Sequence, residues 1–117
     1  METQEGDDPF DAAIDEAVDS LPADLLAAMG NVEIVVVNEP PGGQRLLGLY
    51  QGVPLTKRTT AYSGVLPDKI SIFRGPLTRL FGADPDRLHR EIKHVVLHEI
   101  AHHFGISDER LVELDRY

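Results

Sequence analysis

Apolar residues recur at helical spacing in two stretches of this chain and as β-branched or alternating runs in three others. Phe10, Ile14, Ala17, Val18 and Leu21 share one helical face, leaving Asp11, Asp15, Glu16 and Asp19 for the solvated side. Asp8 followed by Pro9 offers a capping side chain and a fixed φ suited to the first turn, so a helix is expected to begin there. Pro22 interrupts it, a short helix follows over "ADLLAAM", and Gly30 is the expected stop. "VEIVVVN" (32–38), bounded by "EPPGG", reads as a buried strand and a loop.

Further strands are expected at "RLLGLYQG" (45–52) and "KISIFRG" (69–75), with a short strand or hairpin in the intervening "VPLTKRTTAYSGVLPD". "GPLTRLFG" reads as one helical turn. Asp84-Pro85 repeats the cap-plus-proline start and predicts a helix over 85–104, ended by Gly105. Ser107 can cap a final short helix over "DERLVELDR", and the acidic residues 1–7 are expected to be disordered. N-terminal helices, a small sheet, then a long and a short helix make an α+β order within a single domain over 1–117.

Composition narrows the chemistry more than the fold. A formal charge of −9 argues against a nucleic-acid groove and against an anionic membrane surface. With no cysteine, a metal site must use imidazole and carboxylate. "METQEGDDPFD" lacks the basic start and apolar run of a signal peptide, and no apolar stretch approaches a membrane span. A cytoplasmic protein is the expectation.

Four of the five histidines fall between residues 94 and 103. His98 and His102 are four residues apart, one turn along the same helical face, which lets two imidazoles reach one ion. Glu99 lies about 100° round the helix, poorly placed to share the ion but well placed to touch a water bound to it. This is the H-E-x-x-H pattern, in which the histidines bind zinc and the glutamate is general base. Gly105 can end the helix in a left-handed turn and return Asp108 towards the metal as a third ligand. Two imidazoles and a carboxylate suit Zn²⁺.

Other residues fit less well. His94 is about 12 Å along the axis from His102, His103 points about 100° away from it, and His89 lies opposite His98. These three are expected at the surface or supporting the site; Glu109 and Glu113 could replace Asp108 if the turn has another shape, with Glu109 as the reserve. Leu97, Ile100, Ala101 and Phe104 occupy one side of this helix and Leu88, Ile92, Val95 and Val96 another, so burial on two faces is expected. Were His98 and His102 ordinary packed histidines, the strip they form with Glu99 between those faces would carry a desolvation cost with nothing to offset it.

The full string, H98-E-x-x-H102-x-x-G105-x-x-D108, resembles the extended motif of the zincin metallopeptidases. With "LLGLYQGVPLTKR" and "ISIFRGPL", residues 8–117 are similar to the short bacterial minimal zincin-like proteins, a family of metallopeptidases. The resemblance implies a zincin-like α+β fold: an N-terminal helix packed on a small mixed sheet, with the active-site helix beneath. It also implies zinc held by His98, His102 and Asp108, with Glu99 as base. Only Met1 and Met29 are present, both upstream, so the methionine turn of metzincins has no counterpart, and the usual C-terminal subdomain is expected to be lacking.

The expected function is zinc-dependent peptide hydrolysis, with Glu99 deprotonating a zinc-bound water. The substrate would lie extended along a sheet edge, with 46–52 the candidate strand and Gly48 and Gly52 permitting close backbone approach. Tyr50 is a candidate oxyanion donor, although a packed or surface tyrosine is the commoner role. The alternative is a non-catalytic, zinc-stabilised module that binds a peptide, or a protein partner that completes the cleft. A nucleic-acid hydrolase of the H-x3-H-x5-H type fits worse, because Phe104 stands where its third histidine belongs.

Overall fold

The computed structural model describes residues 8–52 and 68–106. The predicted hairpin between the second and third strands, the final helix, Asp108, its reserve Glu109, and Glu113 lie outside the described residues.

Helix α1 (Pro9–Asp19) starts as its sequence dictates: the Asp8 side chain accepts from the Phe10 amide at 2.8 Å and Pro9 fills the first turn. Its spacing turns Phe10, Ala13 and Ala17 inward, where all three are buried. Asp8 also binds Arg74 at 3.0 Å, and that guanidinium lies over the Phe10 ring. The hydrogen bond from Arg74 is the main reason the Asp8 carboxyl sits below its ordinary pKa. Helix α2 (Ala23–Ala28) buries none of its own residues, and Gly30 follows with a positive φ.

Strands β1 (Val32–Val37), β2 (Gly48–Gln51) and β3 (Asp68–Phe73) form a mixed sheet in the order β1-β3-β2. β3 is parallel to β1 and antiparallel to β2, and its register sets Ile34 beside Ile70 and Val36 beside Ile72. On β3, Asp68, Ile70 and Ile72 alternate onto one face, and all three are buried. The run at 32–38, expected as a buried strand, is instead half-buried, because β3 takes the centre of the sheet and β1 lies at its side. β-Branched content alone does not distinguish a central strand from a flanking one.

Helix α3 (Arg74–Phe81) is two turns rather than the one expected. It begins directly after β3, buries Leu77, and ends at Gly82. The strand expected to reach residue 75 therefore ends at Phe73. Helix α4 (Pro85–His103) runs nearly as predicted, with the Asp84 side chain capping the Arg87 amide. α4 packs against β2, β3, α1 and α3, which makes it the central element of the molecule.

Candidate metal centre

Along α4 the buried residues are Leu88, Ile92, Val95, Val96, Glu99, Ile100 and His103. They form one stripe at three- and four-residue spacing, the pattern of a core-facing helix. Two of them are polar. Glu99 is 8% exposed and His103 is 0% exposed, so the core-facing stripe carries a carboxylic acid and an imidazole among aliphatic neighbours. Leu97, Ala101 and Phe104, expected on a second buried face, are only half-buried. His98 and His102 lie beside the stripe, also half-buried.

One ligand atom from each of His98, Glu99 and His102 can be chosen so that all three lie within 4.8 Å of one another. The His98 and His102 rings meet edge to face with centroids 4.8 Å apart. His94 is exposed, its ring centroid 6.2 Å from that of His98. The backbone beyond the helix fixes the second imidazole. His102 Nδ1 lies 3.1 Å from the Ile106 carbonyl, which can only accept, so Nδ1 carries the hydrogen. Nε2 then presents the lone pair that a metal ion requires, the usual support for a ligating histidine. These groups, in a chain without cysteine, fit zinc.

That Ile106 carbonyl is held by the helix end itself. The Gly105 amide bonds the His102 carbonyl at 2.9 Å, and the Ile106 amide bonds the Ala101 carbonyl at 3.0 Å. Gly105 has φ +88°, as predicted from the sequence. Together these are the two bonds of a Schellman turn, in which glycine alone adopts the left-handed position without steric cost.

Glu99 is pressed from above by strand β2. A Cβ built at Gly48 would lie 2.6 Å from Val95 Cγ1 and 3.2 Å from Glu99 Cγ. The close approach that Gly48 permits is thus to α4 of the same chain. At Gly52 the added atom would collide with the Asp68 side chain. A groove of about 700 Å³ opens where Leu46 and Leu47 lead into β2, facing Pro76, Arg79 and Leu80 of α3; none of the three metal-group residues lines it.

Among the remaining histidines, His89 pairs with Glu16 at 3.0 Å on the surface. His103, expected at the surface or as a support, is wholly enclosed. Its Nδ1 lies 2.8 Å from Asp68 Oδ2 and its Nε2 lies 2.8 Å from the Met29 carbonyl. The Tyr50 hydroxyl donates to the same Asp68 oxygen at 2.6 Å and sits 3.4 Å from His103 Nδ1. Nε2 donates to the carbonyl, which can only accept, while Nδ1 makes the short contact with the carboxyl group.

The sequence reading missed Asp68 altogether, although its signal was present. Asp68 precedes Ile70 and Ile72 at strand spacing, and His103 follows Val96 and Glu99 at helix spacing, so both belong on inward faces.

No helix among the described residues is long and apolar enough to cross a membrane. No curated protein matches the sequence. A family model described as zincin-like metallopeptidase matches residues 29–117, which include both the sheet and the whole of α4. With that match over most of its length, a mixed three-stranded sheet and a His98–Glu99–His102 group on its central helix, the chain belongs to the zincin-like metallopeptidase family.

Proposed function

We propose that the protein is a zinc-dependent peptide hydrolase, with His98, His102 and Asp108 as the metal ligands and Glu99 as the general base. The observation that carries this reading is the packing of Glu99. This carboxylate is only 8% exposed, and its ligand atom lies within 4.8 Å of those of two imidazoles, a compact group that could serve a metal-bound water. When bound, zinc would supply Lewis acidity, lowering the pKa of a coordinated water towards ~7. The Glu99 carboxylate accepts a proton from the attacking water and returns it to the leaving amine. His102 is oriented for its role by the Ile106 carbonyl. The burial of Glu99 limits competing water and strengthens its electrostatic influence on the reacting carbonyl.

The substrate lies extended beside β2, which stands at one side of the sheet order, and gains main-chain hydrogen bonds by strand addition. Tyr50 is better read as a structural donor than as an oxyanion donor, because its hydroxyl is engaged by Asp68.

Metal analysis of purified protein tests the ligand set. Wild type should carry one zinc per chain, and His98→Ala and His102→Ala should each lose it. Asp108→Ala should retain zinc only weakly, since two histidines remain. Full zinc occupancy in both histidine variants would exclude the site.

A further inference from the structure

The hydrolytic reading gives no task to His103, Asp68 and Tyr50, although two of these three are the most deeply enclosed ionisable side chains among the described residues. Such groups are expensive to bury and are tolerated only when fully paired. Here they are fully paired, and the pairing joins four parts of the chain: β2 through Tyr50, β3 through Asp68, the end of α2 through the Met29 carbonyl, and the last residue of α4 through His103.

His103 immediately follows His102 and precedes the Schellman turn. Its ring is engaged through both nitrogens, so it cannot rotate without giving up two hydrogen bonds. The next three residues return to hydrogen-bond the Ala101 and His102 carbonyls and the His102 ring. The last turn of α4 is therefore gripped on its inner side by His103 and closed on its outer side through His102. A displacement of the inner grip moves the backbone that orients the outer imidazole.

We propose that Tyr50, Asp68 and His103 are positioning residues for the metal centre: they lock the last turn of α4 so that the Ile106 carbonyl meets His102 Nδ1, leaving Nε2 as the nitrogen that would hold a metal ion. The same lock ties that turn to β2, the strand that packs over Glu99, so the base and one metal ligand are referenced to a common buried point. This inference rests on the zinc reading of the site. Ligand-supporting groups of this kind typically change metal affinity by about 10–100-fold when removed.

The test uses the full chain with Tyr50→Phe and Asp68→Asn, and Ile92→Val as a control that weakens the core of α4 away from the site. Zinc affinity is measured by chelator competition, ligand geometry by the visible spectrum of the Co²⁺ form, and the helix end by hydrogen exchange of the Gly105 and Ile106 amides. Both cluster variants should bind zinc about 10–100-fold more weakly, alter the Co²⁺ bands and lose protection at Gly105 and Ile106. Ile92→Val should lower the melting temperature while leaving all three readouts as in wild type. Unchanged zinc affinity and amide protection in folded Tyr50→Phe would overturn the proposal, as would equal changes in Ile92→Val. Should Asp68→Asn fail to fold, Tyr50→Phe decides alone. If wild type binds no zinc, the hydrolase reading falls, and the amide exchange still decides whether the cluster holds the turn.

Discussion

Two histidine–carboxylate pairs on α4 have nearly the same bond length and opposite physical weight. His89 meets Glu16 at 3.0 Å near the start of the helix, with side chains 32% and 54% exposed. His103 meets Asp68 at 2.8 Å at its end, with side chains 0% and 2% exposed. Water solvates the first pair whether or not it forms, so little depends on it. The second pair is shut away from solvent, and its hydrogen bonds include those to Tyr50 and to the Met29 carbonyl. One helix thus carries the same chemistry as an exposed pair at one end and as an enclosed, hydrogen-bonded pair beside His98 and His102 at the other. Distance did not separate the two. Burial did.

Removing one partner is the strongest way to expose the difference. His103→Ala leaves Asp68 enclosed without its imidazole and should cost about 3–5 kcal/mol, measured by urea unfolding. His89→Ala should leave the unfolding midpoint at its wild-type value. Equal effects from the two would mean that burial does not set the two ends of α4 apart.

Gly48→Ala should have the next largest effect. The added methyl meets Val95 and Glu99 across a contact already too short for it, and overpacking of this kind costs about 1–3 kcal/mol. Because one of the displaced atoms belongs to the proposed base, hydrolysis should fall more than the stability loss alone explains. Preserved turnover at a lowered melting temperature would show that β2 does not set the position of Glu99.

A smaller effect is expected at the Asp8–Arg74 corner. Its folded carboxyl is held below 3.8, chiefly by the Arg74 hydrogen bond, so the folded state binds the proton less readily than the unfolded chain. The pair therefore contributes stability above about pH 4 and loses it as the pH falls through the lowered value. Asp8→Asn should be less stable than wild type at neutral pH, with the gap closing at the acid end of a denaturation series. A gap independent of pH would assign the loss to the helix cap instead of the charge.

Much of this architecture was legible in the sequence because the signals were local. The start of α1 at Asp8–Pro9, the start of α4 at Asp84–Pro85 and the left-handed Gly105 each follow from residues adjacent to the feature they specify. The pairing of His98, Glu99 and His102 was equally local, fixed by spacing on one helix. What was harder to read depends on contacts between distant segments. Which strand takes the centre of the sheet is decided by pairing across the chain, so "VEIVVV" was placed deeper than it lies. Asp68 and His103 are 35 residues apart, and each looks like an ordinary polar residue until the strand and helix periodicities are laid on each other. The second turn of α3 depends on packing of Leu77 into the core, which a window of eight residues does not contain.

In the hydrolase proposed for this fold, buried Glu99 handles the proton of the attacking water. Glu99→Gln keeps the shape of the side chain and removes its basicity, and groups in this role contribute about 10²–10⁴-fold to rate. The direct measurement is cleavage of an unstructured peptide library by zinc-loaded wild type and Glu99→Gln, with and without chelator, alongside the zinc content of each. Wild type should show slow, chelator-sensitive cleavage, and Glu99→Gln should carry the same zinc and show none. Cleavage that survives the substitution, or zinc-loaded wild type that cleaves nothing in the library, would overturn the assignment of Glu99 as the base of a peptide hydrolase.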